Sequence, residues 1–419
     1  MASAYLTRTV TASTATSYTV SFWVKINDVG NTSSPYFWSI GSSAGNGLYY
    51  DSDNKIKFFK QSTTEYLTIY DGALRDPSGW THVVWSVNAG TGTAYVNGVT
   101  GNSHSSIPAL NDNTGTKINI HSYVTGAYNT LDCCMAHFHF IDGTAYNADT
   151  FGESDSVSGT WKPKTSPSVT YGSNGFFLKF ENSGAMGTDS SGNGNNFTVS
   201  GTLTQNVDTP SNNFATFNAL NNNSTLTNGN LTATTDSAQK FGSSSTLGVS
   251  SGKFYWEMKV NATYLYTGVD YDPAEALRNN DPIRSHGWCY NADGSVYNNG
   301  SGSSFGNTFT TNDIIGVALD ATNSKLYFSK NGTWQNSGDP TSGATGTGAV
   351  SITANETYFA VMGDGGSSVS SGASANFGQG YFGTTAVASA GTAPSEGGIF
   401  EFDCPNGYQA LCTKGINSF

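Results

Sequence analysis

Two stretches of this chain alternate apolar with small or polar residues and then close on Asn-Gly. In the first, His82-Val-Val-Trp-Ser-Val87 runs into a glycine-rich turn and returns as Ala94-Tyr-Val96 before Asn97-Gly98. In the second, Ile315, Val317 and Leu319 alternate with smaller residues and Ala321-Thr-Asn-Ser324 turns the chain. Leu326 to Ser329 then returns, and Asn331-Gly332 turns it again before Trp334. A period of two marks a strand with one face on a core, and Asn-Gly suits the two successive left-handed residues of a tight hairpin turn. A chain of 419 residues has room for two domains. Two hairpins so built predict two antiparallel β-sandwiches in tandem, an all-β fold with helix below about a tenth of residues.

Composition narrows the functions. Only 11% of residues are charged, and Gly, Ser, Thr and Asn fill the intervals between aromatic and β-branched runs. The net charge of −12, with no Lys/Arg cluster, excludes nucleic acid or an anionic membrane as partners held by a basic patch. No apolar run reaches the roughly 18 residues of a membrane span, so no membrane insertion is expected. The start, Met-Ala-Ser-Ala-Tyr-Leu-Thr-Arg, lacks the apolar core of a signal peptide. Five Cys, with Cys133 and Cys134 adjacent and so on opposite strand faces, form no disulfide framework. Folding in a reducing cytoplasm is the expectation.

Tyr18-Thr-Val-Ser-Phe-Trp-Val-Lys-Ile26 reads as a core strand, followed by short strands at 36–40, 47–50, 56–59, 66–70, 117–122 and 135–141. In the last of these, alternation puts Ala136, Phe138 and Phe140 on one face and His137 and His139 on the other. Nothing nearby supplies a third metal ligand, so the two histidines read as strand residues. Ser21-Phe-Trp-Val-Lys25, Gly79-Trp-Thr-His-Val-Val84, Ala94-Tyr-Val-Asn-Gly98 and Ala136-His-Phe-His-Phe-Ile-Asp-Gly143, in that order, resemble the laminin-G-like, concanavalin-type jelly roll. The resemblance covers about residues 1–200, including a joining region from about 161. There Asp189-Ser-Ser-Gly-Asn-Gly-Asn-Asn-Phe197 offers Asp189, Asn193 and Asn195 as oxygen ligands for calcium. A hard cation needs six or more oxygens, and one carboxylate favours a metal-free Gly/Asn turn, so no cofactor is expected.

From about residue 214 a second pattern begins. Gly252-Lys-Phe-Tyr-Trp-Glu257, Ile315-Gly-Val-Ala-Leu-Asp320, Phe328-Ser-Lys-Asn-Gly332 and Asn376-Phe-Gly-Gln379 resemble, in order, the hallmarks of the SPRY domain over about 214–383. The resemblance implies a compact sandwich that binds ligands through loops and has no general catalytic activity. Residues 270–304 form a long insert in which Asp272 as cap, Pro273 at the first position and Glu275 at the third predict one short helix. Residues 384–419 read as a flexible Gly/Ala/Ser/Thr-rich loop and closing strands at 399–403 and 408–412.

Catalysis is not expected. A glycoside hydrolase on a concanavalin-type fold would need two carboxylates about 5 Å apart on one face. Glu401-Phe-Asp403 meets Pro405, which interrupts a central strand, and Glu153-Ser-Asp155 runs into Val157 and Ser158. No nucleophile elbow, zinc spacing or phosphate loop occurs. Binding remains, and sugars are held by aromatic faces together with amide and carboxylate groups. Tyr266, Asp270 and Tyr271 at the mouth of the insert, Trp288 and Tyr290 on a shared face, and Trp334 after its Asn-Gly turn are the candidate ligand-binding residues.

The tandem, its Trp161-Lys-Pro-Lys164 junction, Ala136 to Tyr146 and Phe151 to Trp161 resemble virion structural proteins of marine tailed bacteriophages. That resemblance implies a tail fibre or capsid appendage on the virion surface, folded in the host cytoplasm. Its partners would be other virion proteins and a host cell-surface glycan or protein, with a homo-oligomer possible. A protein–protein scaffold or capsid decoration module without a glycan role is the competing class.

Overall fold

The structure is a computed structural model that describes residues 4–10, 13–31, 33–110, 116–125, 131–156, 158–236, 241–364 and 370–419. Strand accounts for 44% of it and helix for 5%, so the antiparallel all-β expectation holds. Its contacts divide it into two compact units, Met1–Gln205 and Asn206–Phe419.

The first unit is a two-sheet sandwich. One sheet orders its strands Thr198–Ser200, Tyr5–Thr9, Lys117–Ile120, Tyr36–Gly41, Gly45–Tyr50, Ile56–Lys60 and Glu65–Thr68. The other orders Phe176–Leu178, Cys133–Asp142, Tyr18–Ile26, Thr81–Asn88, Thr91–Val96 and Val99–His104. Alternate residues of both sheets, among them Phe22, Phe37, Trp38, Phe58, Trp85, Phe138 and Phe140, meet between them as one core. The Asn97-Gly98 turn has φ of 48° and 79°, the two left-handed residues that Asn-Gly supplies at least cost. The Asn97 side-chain carbonyl also accepts from His82 N at 2.8 Å.

One alternation differs from the sequence reading. Ala136 pairs with Trp23 but His139 pairs with Ser21, so three steps on one strand oppose two on its neighbour. The extra residue is His137, at φ 48°. This bulge reverses the faces: Cys133 and Met135 pack on the core before it, Phe138 and Phe140 after it, and Ala136 does not share their side.

The outer face of the second of these sheets is covered. Tyr146, Ala148 and Phe151, with Trp161, Val169 and Tyr171 of the joining region, pack on Val84 and Ile141, burying the polar residues beneath. Trp161 Nε1 donates to His82 Nδ1 at 3.0 Å, which places the His82 proton on Nε2, 2.9 Å from Ser21 Oγ. His139 Nδ1 lies 2.9 Å from the Tyr171 hydroxyl, and Phe177 stacks on its ring at 3.9 Å. Burial drives the His82 pKa down to about 3 and that of His139 well below the usual range, so both rings are neutral.

The second unit repeats the plan. One sheet runs Phe217–Asn222, Phe241–Val249, Tyr358–Asp364, Leu265–Asp270, Gly287–Asn291, Ser295–Asn298 and Ser301–Ser304. The other has a main path of Thr225–Thr227, Thr232–Thr234, Gly372–Asn376, Lys253–Ala262, Ile314–Asp320, Lys325–Lys330 and Thr333–Trp334. Asn331 and Gly332, at φ 48° and 78°, turn the last hairpin, and the Asn331 side-chain carbonyl accepts from Ile314 N at 2.8 Å. The insert's helix is Pro273–Asn279, capped as its sequence implies by the Asp272 side chain accepting from Glu275 N at 2.9 Å.

Of the closing strands expected at 399–403 and 408–412, only Gln409–Ala410 within the second forms, with isolated bridges at Ile399 and Cys412. Gln409–Ala410 alone joins a sheet, in parallel beside Phe254 and Tyr255. With Pro405 and Gly407 in its middle the segment cannot sustain a ladder. Phe400, Cys404, Tyr408 and Cys412 instead lie over Tyr255, Ala318 and Tyr327 on the outer face of that sheet. Beneath this cover the buried Glu257 carboxylate accepts from Glu401 N at 2.9 Å, Phe402 N at 2.8 Å and the Tyr255 hydroxyl at 3.1 Å. Desolvation raises its pKa to about 7 although these bonds favour the anion.

Candidate functional site

The six aromatic and acidic residues singled out in the sequence part company in the structure. Trp288 and Tyr290 lie on the Gly287–Asn291 strand and point into the core between the sheets, where Trp288 packs on Tyr271 and Tyr358. Tyr266 is on the opposite face, buried with Phe241, Cys289 and Ala276 of the short helix. Asp270 is fully buried beside it and accepts from His286 Nδ1 at 2.9 Å and Asp272 N at 2.6 Å. His286 Nε2 lies 3.0 Å from Glu275 Oε2 without hydrogen-bond geometry, and it is the bond from Asp272 N, at the helix cap, to Asp270 that ties the helix to the sheet. The expectation of a loop surface at Tyr266, Asp270, Trp288 and Tyr290 is therefore corrected: these are packing residues, because this sheet is covered on both faces. Tyr271 is half-buried at their margin.

Trp334 is placed differently. Its half-buried indole rests edge-on against Tyr255, ring centroids 6.3 Å apart, and lines a cleft of about 670 Å³. Three segments build the rest of the wall: 338–341, 392–395 and 403–409. Tyr408 closes the floor and is fixed by its hydroxyl donating to Pro340 O at 3.1 Å. Asp339 accepts from Thr341 N and Oγ1 and so stiffens its own loop, whereas Asp403 accepts from Thr392 N and braces one loop against the next. Asn406 is exposed at the rim. An indole face, a phenol and amide, hydroxyl and carboxylate groups converge here. Sequence reasoning missed all of the lining except Trp334, because the wall comes from segments that are distant in the chain and carry no motif.

The Asp189 loop is a knot of internal hydrogen bonds. The Asp189 carboxylate accepts from Phe177 N, Ser191 N, Ser191 Oγ and Asn195 N at 2.8–2.9 Å. Asn193 and Asn195 turn their amide N–H groups to the carbonyls of Gly172, Ser173 and Gly175. Of the oxygens proposed for calcium, those of Asp189 and the Asn195 carbonyl are thus engaged by protein donors, the latter by Arg8. No three His, Cys, Asp or Glu side chains converge as a metal site among the described residues. The acids weighed for hydrolysis are occupied as well: Glu153 and Asp155 pair with Lys162 at 3.7 and 3.2 Å, and Glu401 accepts from Ala388 N.

Comparison with known proteins fits this architecture. Residues 2–149 match the model of the concanavalin A-like lectin/glucanases superfamily, and residues 253–365 match that of the SPRY domain. A concanavalin-like domain and a SPRY domain stand here in tandem. Among solved structures, the SPRY domain of human HERC1 is 22% identical, covering 38% of this chain and 96% of its own at a TM-score of 0.29. A SAP-like pentraxin from Limulus polyphemus is 14% identical over 35% of this chain and 72% of its own, TM-score 0.29. Stonustoxin is 18% identical at a TM-score of 0.30, and the match covers 39% of this chain and only 27% of the toxin chain. No curated protein matches the chain. Both domain types are binding folds, and the concanavalin-like and SPRY units are consistent with a binding module.

Proposed function

We propose that this chain is a non-enzymatic structural protein of a tailed-phage virion that binds a glycan or protein of the host surface through the Trp334 cleft. The observation that carries the binding role is the cleft itself, which joins an indole and a phenol to braced polar loops. Such a mixture suits ligands with apolar faces and polar edges. The virion origin rests on the likeness of the tandem and its junction sequences to phage structural proteins. A tail fibre and a capsid appendage fit that likeness equally.

The test is binding of the full-length chain to a panel of marine bacteria and a bacterial glycan array, beside a pull-down with virion proteins. Trp334→Ala should weaken host-surface binding by about 2 kcal/mol, the usual cost of losing an aromatic anchor. Asn406→Ala, at an exposed position, should weaken it less and leave melting unchanged. If both variants bind cells as the parent does, the cleft is not the receptor site. If only virion proteins are captured, the chain is a scaffold or decoration module.

A further inference from the structure

From Asn331 to Thr413 the sequence contains no Lys, Arg or His, while Asp339, Glu356, Asp364, Glu396, Glu401 and Asp403 all fall within it. The fold draws the whole wall of the Trp334 cleft from this stretch, through Trp334 itself and the segments 338–341, 392–395 and 403–409. Two of the acids, Asp339 and Asp403, are exposed on that wall. Donors from Thr341 and Thr392 hold their carboxyls below the ordinary range, so both are anions. Among the described residues no cation lines the cleft and none pairs with either acid.

The rest of the lining is apolar where it is deepest: Pro340, Pro394 and Tyr408 are buried and Trp334 is half-buried. An indole beside carboxylates is the environment that a delocalised or alkylated cation favours, because the ring face and the anions attract the same charge. The molecule holds a filled example of this pairing next door. Lys253 Nζ lies 5.7 Å from the Tyr408 ring centroid and 3.3 Å from the buried Asp320 carboxylate. Lys253 does not line the cleft, so its charge leaves Asp339 and Asp403 without a counterion.

Charge then decides the class of ligand. An anion is repelled by both carboxylates and by the chain's net charge of −12. A neutral ligand that closed over them would strip water from two anions and return no opposite charge. A cation returns it, and a guanidinium adds a flat face for the indole and a fork for a carboxylate. We infer that the Trp334 cleft takes a guanidinium or alkylammonium group, its head set against Trp334 and the carboxylates of Asp339 and Asp403. This rests on the reading of the cleft as the binding site and adds the charge of what it binds. Such a group has two sources, a basic side chain of a partner protein or a free polyamine.

The experiment titrates the full-length chain by calorimetry with acetyl-arginine amide, with acetyl-citrulline amide, which keeps the shape without the charge, and with spermidine. A cationic probe should bind at millimolar concentration or below, and its affinity should fall as salt rises from about 50 to about 500 mM. The citrulline amide should bind about tenfold more weakly than the arginine amide or not at all. Asp339→Asn and Asp403→Asn keep an oxygen to accept from the threonines, so each should weaken cation binding several-fold without moving the melting temperature. Trp334→Ala should weaken it about tenfold. Tighter binding of the arginine amide supports a protein side chain as the source, and tighter binding of spermidine a polyamine. Equal binding of the arginine and citrulline amides, no binding of either cation, or Asn variants that bind as the parent does would each overturn the assignment. Should Trp334→Ala lose cell binding while the two amides bind alike, the receptor reading survives and the cation falls. Should the Asn variants lose the cation while Trp334→Ala binds cells as the parent does, the cation site stands and the receptor reading falls.

Discussion

Trp288 shows how far a single residue can be read. Its neighbours in sequence announce a strand, yet whether its indole faces solvent depends on what covers that strand, and the cover is the opposing sheet. Since it packs on Tyr271 and Tyr358 in the second unit's core, Trp288→Ala should cost about 3–5 kcal/mol of stability through the cavity it leaves. Thermal or urea unfolding checks this, and a melting temperature within a degree of the parent's would return Trp288 to the surface. Asp189 is a second case. With its four hydrogen bonds supplied by protein, a chelator should leave the melting temperature unchanged, whereas Asp189→Ala should strand four donors and lower it. A drop of several degrees on adding chelator to the parent chain would make the loop a metal site. The Asn-Gly turns were legible because the chemistry of left-handed residues is local. The fates of Trp288, Tyr290 and Tyr266 were not, because alternation tells which residues share a face and is silent on whether that face is covered.

At the scale of elements, the strands follow their alternation except where one residue is inserted. The bulge at His137 left no mark in the pattern, since Ala136, Phe138 and Phe140 read as one face until the partner strand shows the slip. The two outer-face covers were equally hidden: each is an irregular segment whose few apolar residues make sense only against a sheet built elsewhere. The C-terminal cover is tied down by Glu257, and its pKa gives a test. In the folded chain the carboxyl is raised to about 7 from an ordinary 4.5, so the folded state holds a proton that the unfolded state has released. Its contribution is therefore complete below about pH 4.5 and is lost as the pH rises through about 7, a change on the order of 3 kcal/mol at most. Glu257→Gln should flatten this part of the stability profile, and a variant whose profile matches the parent's would show that the hydrogen bonds to Glu401 and Phe402 hold the carboxylate ionised throughout.

Taken as a whole molecule, the chain joins two sandwiches whose covers are pinned by groups of opposite acid–base sense. In the first unit His82 is buried neutral, with its pKa lowered to about 3, so its contribution is present above about pH 6.5 and is lost as the pH falls toward the folded value. Calorimetry across this range should resolve two transitions that move in opposite directions, the first unit's melting rising between about pH 4 and 6.5 while the second's falls toward pH 7. Two transitions that shift together would contradict this assignment. The C-terminal cover has a further consequence in time. Glu257 and the backbone of Glu401 that it binds are 144 residues apart. At about 5–20 residues per second of synthesis, the Lys253–Ala262 strand waits roughly 7–30 s for its lid. Once Tyr327 has been made, the aromatic side of the sheet at Tyr255, Ala318 and Tyr327 stands open on a nascent chain for the rest of that interval. Crowded polysomes then bring several such unfinished faces together, and the yield of native protein becomes a matter of translation speed.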